Sequence, residues 1–314
     1  MANTIIKPAD RQAWLKERGN GIGSSEVGAI MGLSQYETPY SVWLRKTGRV
    51  APKQENFLMR AGHYLEDAVS KFYADETGVD IIKASAGDWL IVDNERPFMR
   101  VSPDRIFWLP NMPHTKANKG IVECKTTQRS VDADSVPLTW YAQLQYQLGV
   151  AGFTNGALAW LTAGRDFGYI NVEFDPEFYA MIVEAVSDFW YNYVQADQEP
   201  EPINASDAVA MYPKHIQGKS VQADGETLAK YNELKVIKQQ IKTLDERKVE
   251  LENDLKFCIG DAEMLVTEEG SVISTFKASK DSRKFDEKLF AAEHPDEYEK
   301  YMRVVTGSRR FLLK

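Results

Sequence analysis

The chain has 314 residues, 43% of them hydrophobic and 11% aromatic, enough to bury a sizeable core in one large domain or two. No apolar run approaches the roughly 20 residues that a membrane-spanning helix needs, and residues 1–10 lack an apolar signal core; Cys124 and Cys258 are too few for a disulfide framework, so a cytoplasmic address is expected. The formal net charge of −8 argues against a broadly basic nucleic-acid surface and leaves room only for a local basic groove or a metal-assisted site.

Residues 9–18 carry Ala13, Trp14 and Leu15 among charges and predict a short helix that ends near Gly19. After a glycine-rich turn, Ser24, Ser25 and Glu26 precede Val27, Ala29, Ile30 and Met31, a helix start with Gly23 or Ser24 as its cap. Thr38-Pro39 opens a packing helix through Trp43 and Leu44, and Gly48 closes it. Over 63–77, Leu65, Val69, Phe72 and Tyr73 keep helical spacing, with Glu66 flanking the stripe and Gly78 as the stop. β-like runs follow at 79–82, 89–92, 98–101 and 121–126, separated by Gly, Pro, Asn and Asp. The pattern returns to helix at 138–150, to strands at 156–161 and 167–172, and to helix at 176–193.

Gln198-Glu199-Pro200-Glu201-Pro202 breaks all periodicity, and 198–225 reads as a linker or surface arm between a core over 1–197 and a second region over 226–314. In that second region Leu234, Ile237, Ile241, Leu244, Lys248, Leu251, Leu255 and Cys258 follow three-four spacing, which predicts a long helix with one lysine in its apolar seam. A hairpin over 264–266 and 272–276 follows, and 301–313 ends in mixed basic and apolar residues. The order gives a mixed α/β fold with a central sheet flanked by helices, then a C-terminal long helix and hairpin.

Chemistry concentrates in Ser102-Pro103-Asp104 and Glu123-Cys124-Lys125. Alternation along a strand puts Glu123 and Lys125 on one face and Val122 and Cys124 on the other. With 98–101 as the adjacent strand, Asp104 at its end meets Glu123, and the two carboxylates with the Cys124 carbonyl offer hard oxygen ligands to Mg²⁺, or Mn²⁺ in its place. Lys125 then orients the attacking water or meets developing negative charge, and Glu66 supplies an outer or second metal position. The plainer reading of the same residues is a surface aspartate with a cross-strand Glu-Lys pair, and for Glu66 a solvated helix charge. Among the glutamines of 140–147, Gln143 and Gln147 share a helix face while Gln145 points elsewhere. A helix amide facing the site is expected to hold the water or Lys125 in register; the plainer reading of the stretch is an amphipathic helix with polar capping of its neighbours. Ser24 and Ser25 at a helix start, with Arg18 just upstream, are candidates for binding a phosphate.

Trp14 with Arg18, Ile22 to Val27, the 62–78 segment with Glu66, Ser102-Pro103-Asp104, Glu123-Cys124-Lys125 and Tyr141 to Tyr146 stand in the order found in YqaJ-type viral recombinases. The chain resembles a phage exonuclease of the lambda exonuclease type, within the PD-(D/E)-x-K nucleases, over about residues 14–160. The resemblance implies a restriction-endonuclease-like core and Mg²⁺-dependent 5′ to 3′ digestion of one strand of linear duplex DNA. The 3′ overhang so left would serve a single-strand annealing protein, and the enzyme would be a ring-shaped homotrimer in a bacterial host carrying the phage or prophage. It also implies Asp104 and Glu123 as metal ligands, Lys125 as catalytic lysine, Glu66 as second acid and Gln143 as supporting amide. Arg18, with Ser24 and Ser25, becomes the pocket for a 5′-phosphate. The loop 109–120 departs from the family in being longer than a tight hairpin needs. A structure- or site-specific endonuclease on the same core and a non-catalytic DNA-binding or assembly protein are the competing readings.

Overall fold

The computed structural model describes residues 3–51, 56–82, 89–283, 285–304, 307 and 309–313. The chain forms two units, Met1–Met211 and Tyr212–Lys314. In the first, a five-stranded mixed sheet has the order β3 (Asp80–Ile82), β6 (Arg105–Trp108), β7 (Lys119–Thr127), β8 (Asn155–Thr162), β9 (Asp166–Glu173). The central strand β7 runs antiparallel to β6 and parallel to β8. Its GIVEC segment is buried throughout, as a strand covered on both faces must be.

Alternation along β7 creates two cores. Ile121 joins the cluster formed with α5 (Leu138–Ala151) and α6 (Pro176–Asp188), which also receives Val27 and Ala29 of α2 (Ser24–Ile30) and Trp43 of α3 (Pro39–Lys46). Val122 and Cys124 point the other way, into a smaller cluster with Val69 and Tyr73 of α4 (Phe57–Thr77). Each fully buried Ile, Leu or Val on these faces contributes about 1.5–3 kcal/mol. Helices α5 and α6 approach closely at Gly149 of α5, where a β-carbon would overlap the ring of Tyr179. Gly149→Ala is therefore expected to cost roughly 1–3 kcal/mol as overpacking, read as a lower urea midpoint with an unchanged slope.

Helix ends follow the expected chemistry. Asp10 caps α1 (Arg11–Gly19), accepting from the amide of Ala13, and Thr38 with Pro39 opens α3. Helix α4 starts six residues before the expected 63, at an Asn56 cap. Its first turn carries exposed Phe57, Leu58 and Met59, which gives no one-sided stripe to read.

The strand expected beside β7 needs correcting. Of the expected 98–101, residues 99–101 lie instead in a second sheet of order β1 (Asn3–Ile6), β4 (Leu90–Asp93), β5 (Met99–Val101), β2 (Ile22–Gly23). Ser102-Pro103-Asp104 is the crossing between the sheets, where proline lacks the N–H to continue a ladder. The neighbour of β7 is β6, and its register of Arg105 with Val122 brings the preceding Asp104 level with Glu123 all the same.

The 198–225 stretch also differs from a plain linker. Within it, α7 (Ala205–Met211) belongs to the first unit and is fixed to the start of α3 by Asp207, which is buried and accepts from the Thr38 hydroxyl at 2.7 Å and the Ile203 amide at 3.1 Å. The anchor is polar, so it leaves no hydrophobic period in the sequence.

The second unit contains the 35-residue α8 (Gly225–Ile259), the hairpin β10 (Met264–Val266) and β11 (Val272–Thr275), and two short helices, α9 (Glu287–Glu293) and α10 (Pro295–Tyr301). Asp224 caps α8 through the Thr227 amide, so the helix begins well before the seam at Leu234. Neither short helix was legible in the sequence, and within 301–313 positions 305, 306 and 308 lie outside the described residues. No helix among the described residues is long and apolar enough to cross a membrane.

Candidate active site

Asp104, Glu123 and Lys125 are brought together at the junction of β6 and β7. The Asp104 Oδ2 atom accepts from the Cys124 backbone N–H at 2.8 Å, which fixes its carboxylate against β7. Lys125 Nζ donates to Glu123 Oε1 at 2.7 Å and to Gln143 Oε1 at 2.8 Å. The Gln143 amide returns a hydrogen bond to Glu123 Oε1, closing a triangle of carboxylate, ammonium and amide. Glu123 is only 2% exposed. A carboxylate so placed is tolerable because charge-assisted hydrogen bonds take up its oxygens.

The glutamines divide between faces as their spacing predicts, Gln143 and Gln147 toward Glu123 and Gln145 away from it. Gln145 turns away, donating to the Glu173 carbonyl and accepting from the Asp175 amide. Gln147 is a partner the sequence reading left without a role. Its Nε2 lies 2.8 Å from Glu123 Oε2 and 3.1 Å from Ser24 Oγ. The signal was present in its four-residue spacing from Gln143, which puts both amides on one helix face.

Glu66 reaches the site from α4, with His63 Nδ1 3.0 Å from its Oε1 and Arg105 NH1 3.9 Å from its Oε2. Arg105 is a second missed residue. It is 2% exposed and binds the Asp104 carbonyl and the Asp67 carboxylate, locking the start of β6 to α4. Its position directly after Asp104 was the available signal, obscured because an arginine breaks the apolar run of a strand.

The electrostatics are those of crowded carboxylates. Burial, followed by the charges of Glu123 and Glu66, pushes the Asp104 carboxyl well above the ordinary aspartate range. Burial also raises Glu66, against the pull of His63 and Arg105. Burial alone would lower the Lys125 ammonium, but Glu123 and Asp104 outweigh it and hold the group above the usual lysine range. The Cys124 thiol, on the core side, is driven well up by burial and then by Asp104. It is therefore kept from acting as a thiolate ligand or nucleophile, and its backbone is the part that faces the chemistry.

Among the described residues, no three His, Cys, Asp or Glu side chains converge tightly enough to hold a metal ion, so the carboxylates form an open set. Their chemistry fits a hard divalent cation. Asp104, Glu123 and Glu66 are all-oxygen donors whose mutual repulsion raises the Asp104 carboxyl, and added positive charge relieves that repulsion.

A cleft of about 440 Å³ is lined by Glu66, Asp104 and Gln143 together with Arg18, Ser24 and Ser25. Arg18 NH2 donates to Ser25 Oγ at 2.6 Å, and the Arg11 and Arg18 guanidinium groups lie 4.2 and 5.1 Å from the centre of the Trp14 ring. The turn leading into this wall is stiff. Lys46 Nζ binds the Gly21 carbonyl at 2.6 Å and Glu26 Oε2 at 2.8 Å, and the same oxygen accepts from the Gly23 amide at 2.8 Å. Gly21 itself admits no side chain, since a β-carbon would overlap the Phe98 carbonyl. Arg11, Arg18 and Arg100 thus gather basic charge at the cleft of a chain whose net charge is negative.

Residues 13–154 match the family described as the YqaJ-like viral recombinase domain. The chain is similar to the uncharacterized protein YqaJ of Bacillus subtilis (strain 168), with 30% identity over 320 residues, covering 97% of this chain and 94% of that protein. Among solved structures it is similar to an alkaline exonuclease from Laribacter hongkongensis, at 20% identity and a TM-score of 0.45, covering 60% of this chain and 94% of that one. It is also similar to a phage-related exonuclease from Haemophilus somnus 129PT, at 15% identity and a TM-score of 0.38, covering 57% of this chain and 96% of that one.

Proposed function

Because the chain belongs to the YqaJ-like viral recombinase family, we propose that it is a metal-dependent DNA exonuclease. In this reading it digests one strand of linear duplex DNA from 5′ to 3′ with Mg²⁺, leaving 3′ overhangs for a single-strand annealing protein. It would work as a homotrimer in the cytoplasm of a bacterial host. The observation that carries the reading is one cleft lined both by Arg18, Ser24 and Ser25, suited to gripping a terminal phosphate, and by Glu66, Asp104 and Gln143, with Glu123 and Lys125 bonded to Gln143 behind it.

A divalent cation held by Asp104, Glu123 and the Cys124 carbonyl, with Glu66 at an outer or second position, would supply positive charge and an acidified water. The remaining work falls to side chains. Lys125, kept protonated by its carboxylate neighbours, presents an ammonium to the oxygen that gains charge as the P–O bond breaks. Gln143 holds that ammonium by its oxygen and Glu123 by its amide, so neither side chain rotates away between turnovers. Arg18, Ser24 and Ser25 bind the terminal phosphate by charge-assisted hydrogen bonds. Helix α2 has only seven residues, so the guanidinium and the hydroxyls carry this contact rather than a helix dipole.

With Mg²⁺, linear duplex bearing 5′-phosphates is expected to be degraded while closed circles survive, and a 5′-hydroxyl end is expected to slow degradation. Arg18→Ala should cut the rate on phosphate-ended DNA by about 10–100-fold, the loss of one strong charge-assisted contact. It should also bring the two kinds of end to the same rate, as measured by release of acid-soluble nucleotide. Rapid cutting of closed circles would favour an endonuclease on the same core. Absence of cleavage under every ionic condition would favour a non-catalytic DNA-binding protein.

A further inference from the structure

A groove of about 860 Å³ adjoins the cleft and shares Arg18 and Ser25 with it, whereas Glu66, Asp104 and Gln143 line the cleft alone. All the residues of the groove belong to the first unit. It therefore borders the residues suited to gripping phosphate and lacks those suited to hydrolysis.

The groove is basic. Arg45, Lys46 and Arg49 join Arg18 in its lining, against Glu26 and Glu37. Both acids are already engaged by cations, Glu26 Oε2 lying 2.8 Å from Lys46 Nζ and Glu37 Oε2 3.0 Å from Arg45 NH2. Arg49 is held differently. Its guanidinium lies 4.1 Å from the centre of the Trp43 ring, its side chain is 38% exposed, and its NH1 meets Asp197 Oδ1 at 2.8 Å in a pair whose acid is 63% exposed. A pair so open to water is worth only ~0–1 kcal/mol, so Arg49 can exchange Asp197 for a phosphate at little cost. Trp43 is fully buried and fixes the guanidinium. A planar cation fixed in this way can stack on a base as well as bind a phosphate. Between the cations lie Leu15 and Val50, both exposed. A duplex offers such a surface its phosphates, whereas a single strand also offers the faces of its bases, which suit an apolar lining.

We propose that this groove holds the uncut strand, as single-stranded DNA, where it passes the held end of the digested one. The proposal rests on the exonuclease reading, because only resection of one strand leaves its complement unpaired at that point. A strand gripped at Arg18 and Ser25 for cutting turns into the cleft. Its complement must pass the same residues clear of the acids, and the groove supplies that path.

The test compares a short labelled duplex that has a recessed 5′-phosphate and a 3′ tail of thymidines with the same duplex made blunt. Binding is followed by fluorescence anisotropy with Mg²⁺ in full-length protein carrying Asp104→Asn, so that the strands stay whole. The tailed duplex is expected to bind about tenfold more tightly, the worth of one stacked base. Adding Arg49→Ala should remove most of that preference, leave blunt-end affinity unchanged, and lower the slope of log K against log salt for the tailed duplex by about 0.7, one phosphate contact on a single strand. Arg49→Lys should restore the slope. Asp197→Asn should act in the opposite direction, tightening the tailed duplex by about two- to fivefold as Arg49 is released from its carboxylate. Asp197 has a φ of 57°, a left-handed conformation that asparagine also adopts, so the fold tolerates the change. Equal affinity for the two duplexes would overturn the proposal, as would an undiminished preference in Arg49→Ala or weaker tail binding in Asp197→Asn. Failure of the native chain to cut linear duplex would overturn the exonuclease reading and with it the identity of the strand, whereas loss of the tail preference with cleavage intact would overturn the groove alone.

Discussion

Asp104→Asn is expected to reduce DNA cleavage by about three orders of magnitude while making the protein more stable, two effects of one charge. The loss follows from removing an anionic oxygen from the set proposed to serve hydrolysis; deleting a single electrostatic contributor of this kind costs roughly 10²–10³ in rate. The gain follows from the crowding. Asp104 is buried beside Glu123 and Glu66, and both charges oppose its ionisation. Asparagine keeps an oxygen to accept from the Cys124 amide but carries no charge. Relief of one such repulsion is worth about 1–2 kcal/mol, as is common when a functional site is made inert. It is read as a higher urea midpoint in chelator.

The same group sets a pH dependence of definite sign. Its pKa is raised in the folded state, so between the ordinary aspartate value and the raised one the folded protein binds more protons than the unfolded chain. Stability of the metal-free protein is therefore expected to fall as pH rises through that window. Asp104→Asn should flatten that part of the profile. A variant with the native slope would remove Asp104 as its source.

Lys125→Met should match the loss of cleavage but move stability the other way. Methionine fills the aliphatic volume, yet Glu123 loses the ammonium 2.7 Å from its Oε1 and keeps only amide partners. Removing one member of a buried ion pair costs on the order of 3–5 kcal/mol. The hydrogen bonds from Gln143 and Gln147 should hold the loss at or below the lower end. A folded but inactive Lys125→Met that is less stable than the native protein, beside an inactive Asp104→Asn that is more stable, would separate site chemistry from general damage. Equal shifts in both variants would remove the electrostatic account.

The sequence made the residues of the site legible but not the path of the chain between them. Alternation along 121–126 was enough to assign Glu123 and Lys125 to one face and Cys124 to the core, because strand geometry leaves no other choice. The four-residue spacing of Gln143 and Gln147 likewise fixed their common face. Pairing of strands was less accessible. Residues 99–101 and 105–108 are both short and apolar, and only the tertiary fold decides which one lies beside β7. Edge strand β1 and helix α7 were missed for a related reason. Their partners, β4 and Thr38, are far away in the chain, so nothing local records the contact.

The Gln147 amide gives the cleft a mechanical property. One NH₂ group reaches both Ser24, on the wall suited to holding a chain end, and Glu123, on the wall suited to hydrolysis. All three side chains are buried, on elements packed in one core, so the interval between the two walls is a fixed gauge rather than the span of a flexible loop. In the proposed reaction such a gauge would set where the strand is cut relative to its held end. Under that proposal, a change that disturbed the link would first show as a spread of product sizes.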